Sequence, residues 1–241
     1  MKGIILAGGR GTRLFPLTKI TSKQLLPVYD RQMIWYPLNT LVKSGIKEIL
    51  IISTPEFKNQ YELLFGDGKA LGLSIEYAIQ PEPRGVVEAF IIGESFIGND
   101  NVTLILGDNI FEDDFSADIQ SFTSGARIFA KEVHDPERFG VVELGEDNAI
   151  ISIEEKPTVP KSKFAVTGLY VYDSQVVSFS KKLVPSKRGE LEIVDLHNVY
   201  FSIGKLDVKI FSGIWEDAGT FDSLLRAGEL AKERLSKNLV I

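Results

Sequence analysis

The run Lys2-Gly3-Ile4-Ile5-Leu6-Ala7-Gly8-Gly9-Arg10-Gly11-Thr12-Arg13 decides how this chain is read. Its first part is short, apolar and rich in Ile and Leu, which predicts a buried strand; the glycines that follow predict an abrupt turn. Three glycines in four residues leave backbone N–H groups uncovered, and a bare loop of this kind can close around phosphate oxygens. The glycines alone fit a flexible turn with solvated basic neighbours equally well. Charge separates the two readings. The chain carries a formal net charge of -6, yet residues 1–29 contain no Asp or Glu while holding Lys2, Arg10, Arg13, Lys19 and Lys23. An acidic protein has kept one cationic segment around its glycine loop, as a polyphosphate site requires. The spacing excludes Gly-x-x-x-x-Gly-Lys-Ser/Thr, and Leu14 stands where a dinucleotide fingerprint needs its third glycine. Pro16 argues against a long helix directly after the loop.

Working outward, Met33 to Ser44 has helical spacing and stops at Gly45, and Glu48 to Ser53 is a second buried strand. Strand, helix, strand predicts a parallel sheet with crossover helices. A helix over Phe57 to Phe65, a strand over Ile75 to Ile79, a helical run over Val86 to Ser95 and a strand over Val102 to Leu106 continue the pattern. Later, Ala126 to Lys131, Gly140 to Leu144, Ala149 to Glu154 and Ala165 to Tyr172 read as strands without long intervening helices, so a mixed or antiparallel portion is expected there. A helix opening at Arg188-Gly189-Glu190-Leu191-Glu192 and running to Gly204, a strand over Val208 to Phe211, and a last helix capped by Thr220 complete the chain. That helix has Leu224, Ala227, Ala231 and Leu235 on its inner face.

The 241 residues, 44% of them apolar, can bury a sizeable core. There is no cysteine, which excludes disulfides and thiolate chemistry, and with two histidines, His134 and His197, a His-rich metal site is not expected. Both histidines read as surface or helix-face residues. Any metal would be held by oxygen. No apolar run approaches the length of a membrane span and no signal-peptide pattern opens the chain, so a cytoplasmic enzyme is expected. Overall acidity argues against nucleic-acid binding.

Four further positions carry chemistry with an ordinary alternative beside each. Gln80, in Gln80-Pro81-Glu82-Pro83-Arg84-Gly85, can read a flat base edge or be a surface amide. Asp108 follows a buried strand, where ligands bind in open α/β sheets, and can ligate Mg²⁺ or cap a turn. Glu155-Lys156 can hold a ligand or form a surface ion pair. Arg188 marks a helix entry.

Gly8-Gly9-Arg10-Gly11-Thr12-Arg13-Leu14 with Pro16, followed by Lys23-Gln24-Leu25-Leu26-Pro27-Val28-Tyr29-Asp30, resembles the signature of the sugar-1-phosphate nucleotidylyltransferases, and the resemblance extends over nearly the whole chain. It implies one α/β nucleotidyltransferase domain over residues 1–241: a Rossmann-like mixed sheet flanked by helices, with a nucleotide-binding half to about residue 125 and a sugar-phosphate lobe beyond. It implies transfer of a thymidylyl group from dTTP to α-D-glucose 1-phosphate, giving dTDP-glucose and pyrophosphate, the entry to dTDP-rhamnose-type sugars. A UTP-using enzyme, or one for another hexose 1-phosphate, is the alternative within the family; a non-catalytic nucleotide-sugar sensor is the alternative outside it. The resemblance assigns Leu6, Gly8, Gly9, Gly11, Thr12, Arg13, Gln24, Gln80 and Gly85 to the nucleotide, and Asn109, Gly140, Glu155, Lys156, Val166 and Arg188 to the sugar phosphate. Arg13, Lys23 and Lys156 become the catalytic cations, with Mg²⁺ on Asp108 and Asp217. Departures from the family pattern are Val86-Val87-Glu88 after Gly85 and Ala218 in place of Thr. The family generally assembles as homo-oligomers. The chain stops at Ile241, before a helical extension that longer members carry for a regulatory site, which implies a short form.

Overall fold

In the computed structural model, which describes residues 1–235, the chain forms two compact units. The first is built from Met1–Pro83, Thr103–Gln120 and the stretch from Gly213; the second from Arg84–Val102 and Ser121–Ser212.

The first unit contains the sheet that the opening run predicts. Strands β1 (Lys2–Ala7), β2 (Glu48–Ser53), β3 (Ser74–Ile79) and β4 (Val102–Leu106) lie in the order β4-β1-β2-β3. β1 pairs with β2 in parallel, Ile4 opposite Leu50 and Leu6 opposite Ile52, and β2 pairs with β3 in parallel. These strands read as continuous apolar runs because parallel strands are covered on both faces. Ile4, Ile5, Ile49, Ile51, Ile52, Leu104 and Ile105 are all fully buried. The expected helices are present over Trp35–Lys43 and Lys58–Phe65. After the glycine loop the chain makes only single turns, at Thr12–Leu14, Leu17–Lys19 and Lys23–Leu25. A short ribbon pairs Asn109–Phe111 with Trp215–Asp217 and carries the chain's last segment back to the end of β4. The helix Phe221–Leu230 then begins with a reciprocal cap: Thr220 Oγ1 accepts from the Ser223 N–H, and the Thr220 N–H donates to Ser223 Oγ. Leu224, Ala227 and Ala231 face the core from it, as the spacing predicts; the side chain of Leu235 lies outside the described residues.

The second unit is the mixed portion. β5 (Ala126–Glu132), β6 (Gly140–Leu144), β7 (Ile150–Glu155) and β8 (Phe164–Tyr172) pair antiparallel as β7-β6-β8-β5, and β9 (Leu206–Ile210) lies parallel to β5. Two helical expectations change here. The run expected over Val86 to Ser95 divides at Gly93 into Glu88–Ile92 and Glu94–Ile97. The helix expected to open at Arg188 begins at Ile193, because Gly189 takes a φ of +77° and Glu192 is extended, with its carboxylate turned to other partners. His197 lies on that helix, fully buried and not at a surface. Among the described residues no helix is long and apolar enough to cross a membrane.

Candidate functional site

The first unit gathers the glycine loop, one amide pair, two cations and two carboxylates at the ends of its parallel strands. Gly9 has a φ of +100° with open space where a side chain would stand, so its backbone is bare as the sequence predicts. Gly8 and Gly11 are packed instead. A Cβ at Gly8 would lie 2.5 Å from the Gln80 amide oxygen, and one at Gly11 would press on Thr18, whose hydroxyl donates to the Gly11 carbonyl at 2.9 Å. Gln80, 3% exposed, is therefore beside the loop and not on the surface. Its placement follows from β3: the Gln80 N–H donates to the Ser53 carbonyl, carrying the β2–β3 pairing one step past the strand end.

Gln24 is also buried against this loop. Its amide nitrogen donates to the Gly8 carbonyl at 3.5 Å, and its oxygen accepts from Ser22 Oγ at 2.6 Å. Ser22 in turn accepts from the buried Tyr61 hydroxyl at 2.7 Å. The chain Tyr61, Ser22, Gln24, Gly8 ties the helix Lys58–Phe65 to the loop. Nothing in the local sequence announces Tyr61, since its partners are 39 and 37 residues away.

Asp108 is placed just after β4, where the Gly107 N–H donates to the Leu6 carbonyl. The Lys23 ammonium donates directly to one Asp108 oxygen, and the Asn109 amide donates to the other at 3.1 Å. Burial alone would raise this carboxyl; the Lys23 charge and the hydrogen bonds from Lys23 and Asn109 outweigh it and hold Asp108 below its ordinary range. Asp217, from the returning ribbon, is in the opposite condition. Burial first, and then the charge of Asp108, push it up to about 6 against the partial relief of Lys23 and Arg13. Its Oδ1 is buried with no protein hydrogen-bond partner. Arg13 reaches the same place: a Cβ at Gly219 would be 2.6 Å from an Arg13 Nη and 2.9 Å from Asp217 Oδ1. The buried Asp108 carboxylate and the half-buried Asp217, whose Oδ1 is a buried, orphaned acceptor, form an oxygen donor set that fits Mg²⁺ shared with substrate phosphates. Asn109, assigned from the sequence to the sugar phosphate, is 2% exposed here, with its amide oxygen accepting from Trp215 Nε1 at 2.6 Å.

The second unit brings together Gly140, Glu155, Lys156, Val166 and Arg188. Glu155 and Val166 are the strand partners of Gly140 in β7 and β8. Lys156 follows β7 with a φ of +43°, held by its N–H to the Phe139 carbonyl at 3.0 Å, and its ammonium is 3.5 Å from Glu155. Arg188 Nη2 is 3.4 Å from Glu155 Oε1. Burial raises the Glu155 carboxyl, and Glu192 adds to this while Lys156 and Arg188 oppose it. The residue that the sequence reading passes over is Glu192. It accepts from Arg188 Nε at 3.1 Å and Nη2 at 2.7 Å, and also from Ser186 Oγ at 2.6 Å. Its acidity was legible only as a charge near a helix start.

Comparison with known proteins shows the family to which this chain belongs. The family model described as nucleotidyl transferase matches residues 2–234. A glucose-1-phosphate thymidylyltransferase of Neisseria meningitidis is 54% identical over 96% of this chain and 83% of its own length. One from Mycolicibacterium smegmatis is 48% identical over 96% of this chain and 82% of its own. A Bacillus anthracis crystal structure, provisionally named as a glucose-1-phosphate thymidylyltransferase and solved with sucrose, superimposes with a TM-score of 0.92 at 47% identity, covering 97% of this chain and 96% of that one. A UDP-glucose pyrophosphorylase bound to UDP-glucose shares the fold, with a TM-score of 0.86 at 22% identity over 96% of this chain and 98% of its own.

Proposed function

We propose, from the premise that this chain belongs to the nucleotidyl transferase family, that it transfers a thymidylyl group from dTTP to α-D-glucose 1-phosphate. The observation that carries the reading is the meeting of the glycine loop, open at Gly9, and of Arg13 and Lys23 with the carboxylates of Asp108 and Asp217. Cations beside a glycine-rich loop grip phosphates, and paired carboxylates hold the metal that accompanies them.

The chemistry is a displacement at the α-phosphorus. An oxygen of the sugar phosphate attacks, a new P–O bond forms, and the bond to the β-phosphate oxygen breaks, releasing pyrophosphate. Both reactants are anions. One pair of unit charges at contact repels by about 1 kcal/mol in water and about 4 kcal/mol at an effective dielectric of 20, so catalysis is mostly charge neutralisation and positioning. The backbone of Gly8, Gly9, Gly11 and Thr12, with Arg13, takes the β- and γ-phosphates. Lys23 meets the α-phosphate as charge develops there, and exchanges its present carboxylate partner for it. Gln80 and Gln24 address the base and deoxyribose, with Leu6 and Gly85 beside the nucleotide. Glu155 accepts hydrogen bonds from sugar hydroxyls, Lys156 and Arg188 hold the attacking phosphate, and Gly140 and Val166 line the sugar. Asp108 and Asp217 would hold Mg²⁺, which supplies charge neutralisation to the phosphates. No general base is required, since the attacking phosphate is already ionised.

A cytoplasmic setting and a place at the head of a dTDP-rhamnose-type route go with these substrates. Homo-oligomeric assembly is a family expectation that light scattering on the purified protein decides. The reaction is tested by pyrophosphate release with Mg²⁺ and a panel of nucleoside triphosphates against hexose 1-phosphates. Fastest release with dTTP and glucose 1-phosphate supports the reading; a different fastest pair overturns the substrate, and no release from protein that still binds nucleotide overturns the reaction.

A further inference from the structure

Within the first unit the Gln24 side chain is fastened at three points. Its stem crosses Gly107, where a Cβ would lie 2.8 Å from Gln24 Cγ. Its nitrogen donates to the Gly8 carbonyl and its oxygen accepts from Ser22 Oγ. A carbonyl only accepts, so the nitrogen end of the amide must face Gly8 and the oxygen end must face Ser22. Ser22 has one hydrogen to give, and a contact of 2.6 Å with an amide oxygen uses it. The Ser22 oxygen is left to accept, which it does from the Tyr61 hydroxyl at 2.7 Å. Burial raises the Tyr61 phenol, so the hydrogen it donates stays in place. A serine placed just before a helical turn ordinarily caps it, yet the Ser22 hydroxyl makes no cap to the turn Lys23–Leu25; it is committed to Gln24 instead. Tyr61, Ser22 and Gln24 are 0%, 3% and 2% exposed, so little solvent competes along this chain.

We propose that Tyr61 and Ser22 are positioning residues for the nucleotide: a one-way hydrogen-bond relay from Tyr61 through Ser22 holds the Gln24 amide with its nitrogen toward the glycine loop, so that Gln24 meets the nucleotide as a hydrogen-bond donor. The assignment deepens the thymidylyl-transfer reading and rests on it. The Gln24 nitrogen carries two hydrogens; one goes to Gly8, and the second has no protein partner among the described residues. What receives it must supply a lone pair, and on a deoxyribose that is an oxygen. An amide free to turn over would offer its oxygen as readily as its nitrogen, and would lose that freedom only on binding. The relay removes it during folding. It therefore acts on nucleotide affinity through Gln24 and not on the affinity for glucose 1-phosphate.

The test is steady-state kinetics on the full chain with Mg²⁺, comparing wild type, Ser22→Ala, Gln24→Ala and the double variant, each checked by circular dichroism. Ser22→Ala should raise KM for dTTP by about fivefold, the loss of one ordinary hydrogen bond, and leave KM for glucose 1-phosphate within about twofold. In the Gln24→Ala background the Ser22→Ala change should add little, since its effect is carried by Gln24. An unchanged KM for dTTP, an equal rise in KM for both substrates, or full additivity with Gln24→Ala overturns the proposal. Should Ser22→Ala fail to fold, Tyr61→Phe decides, since it removes only a hydroxyl and keeps the ring: KM for dTTP should rise by about threefold in the Gln24 protein and not in the Gln24→Ala protein, and any other pattern overturns the proposal. Wild-type protein that makes no product from dTTP and glucose 1-phosphate removes the underlying reaction and this assignment with it; normal wild-type turnover with any overturning pattern removes the assignment alone.

Discussion

The ammonium of Lys23 is bound directly to the carboxylate of Asp108, although the two residues are 85 positions apart and both side chains are largely buried, at 14% and 12% exposed. A buried carboxylate is tolerable because of that neighbour. Lys23→Met should leave the buried Asp108 without an opposite charge, with the Asn109 hydrogen bond in place, and cost about 3–5 kcal/mol of stability, the range for breaking a buried pair. Turnover should drop by about 10²–10³, as for loss of one group that stabilises developing charge. Urea unfolding and pyrophosphate release measure the two effects; an unchanged unfolding midpoint would show that the pair carries no stability.

Asp217 is strained in the opposite sense, an ionised group whose surroundings favour its neutral form. Asp217→Asn should therefore melt higher than wild type in EDTA at pH 8, by about 1–3 kcal/mol on a shift of this size. Added Mg²⁺ should stabilise wild type, by about 2.7 kcal/mol at a hundredfold excess over its Kd, and leave the variant unmoved. A Mg²⁺-dependent rise in the variant equal to that of wild type would place the metal elsewhere.

Position 8 separates packing from backbone conformation. Gly8→Ala meets only the end of the Gln80 side chain, so the fold should survive while KM for dTTP rises by about tenfold as that amide moves. Gly9→Ala meets nothing but must adopt a φ of +100°, which should cost about 1–3 kcal/mol of stability. Thermal melting and nucleotide kinetics on the pair distinguish the two; equal effects on both readouts would contradict the geometry.

Buried His197 sets an acid limb to stability. It packs against the rings of Tyr170 and Tyr172, centroids 5.3 and 6.1 Å away, and neither ring nitrogen has a protein hydrogen-bond partner. Burial lowers it from 6.5 to about 3. The unfolded chain thus takes up a proton below pH 6.5 that the folded chain refuses until about pH 3. The stability contribution is complete above pH 6.5 and falls as pH drops through that window, by about 1.4 kcal/mol per unit. His197→Phe should flatten the slope in urea midpoints measured from pH 7 to pH 4; an unaltered slope would assign the acid limb to other groups.

Apolar runs such as Ile4-Ile5-Leu6 and Ile49-Leu50-Ile51-Ile52 made the parallel strands readable, because burial on both faces leaves no competing pattern. The glycine loop was readable for a related reason, since its glycines and the absence of Asp and Glu from residues 1–29 are both local properties of the sequence. What local sequence could not reveal is who meets whom. Tyr61 supports Gln24, Trp215 occupies Asn109, and Glu192 holds Arg188 only after the chain has folded. The helix expected from Arg188 failed because acidic residues before an apolar run suit a helix start, whereas tertiary partners for Glu192 and a left-handed Gly189 suit a loop.

The first unit is assembled from three stretches of chain, and the last of them delivers Asp217 to the strand that begins at Asn109. During synthesis, the loop, Lys23 and Asp108 all leave the ribosome long before their fourth companion. Until Trp215 and Asp217 emerge, Asn109 has no ring nitrogen to receive and the second carboxylate does not exist. A nascent chain can thus hold the glycine loop, Lys23 and Asp108 together, but the second acid arrives only with the stretch from Gly213, so the proposed activity is withheld until that stretch is made.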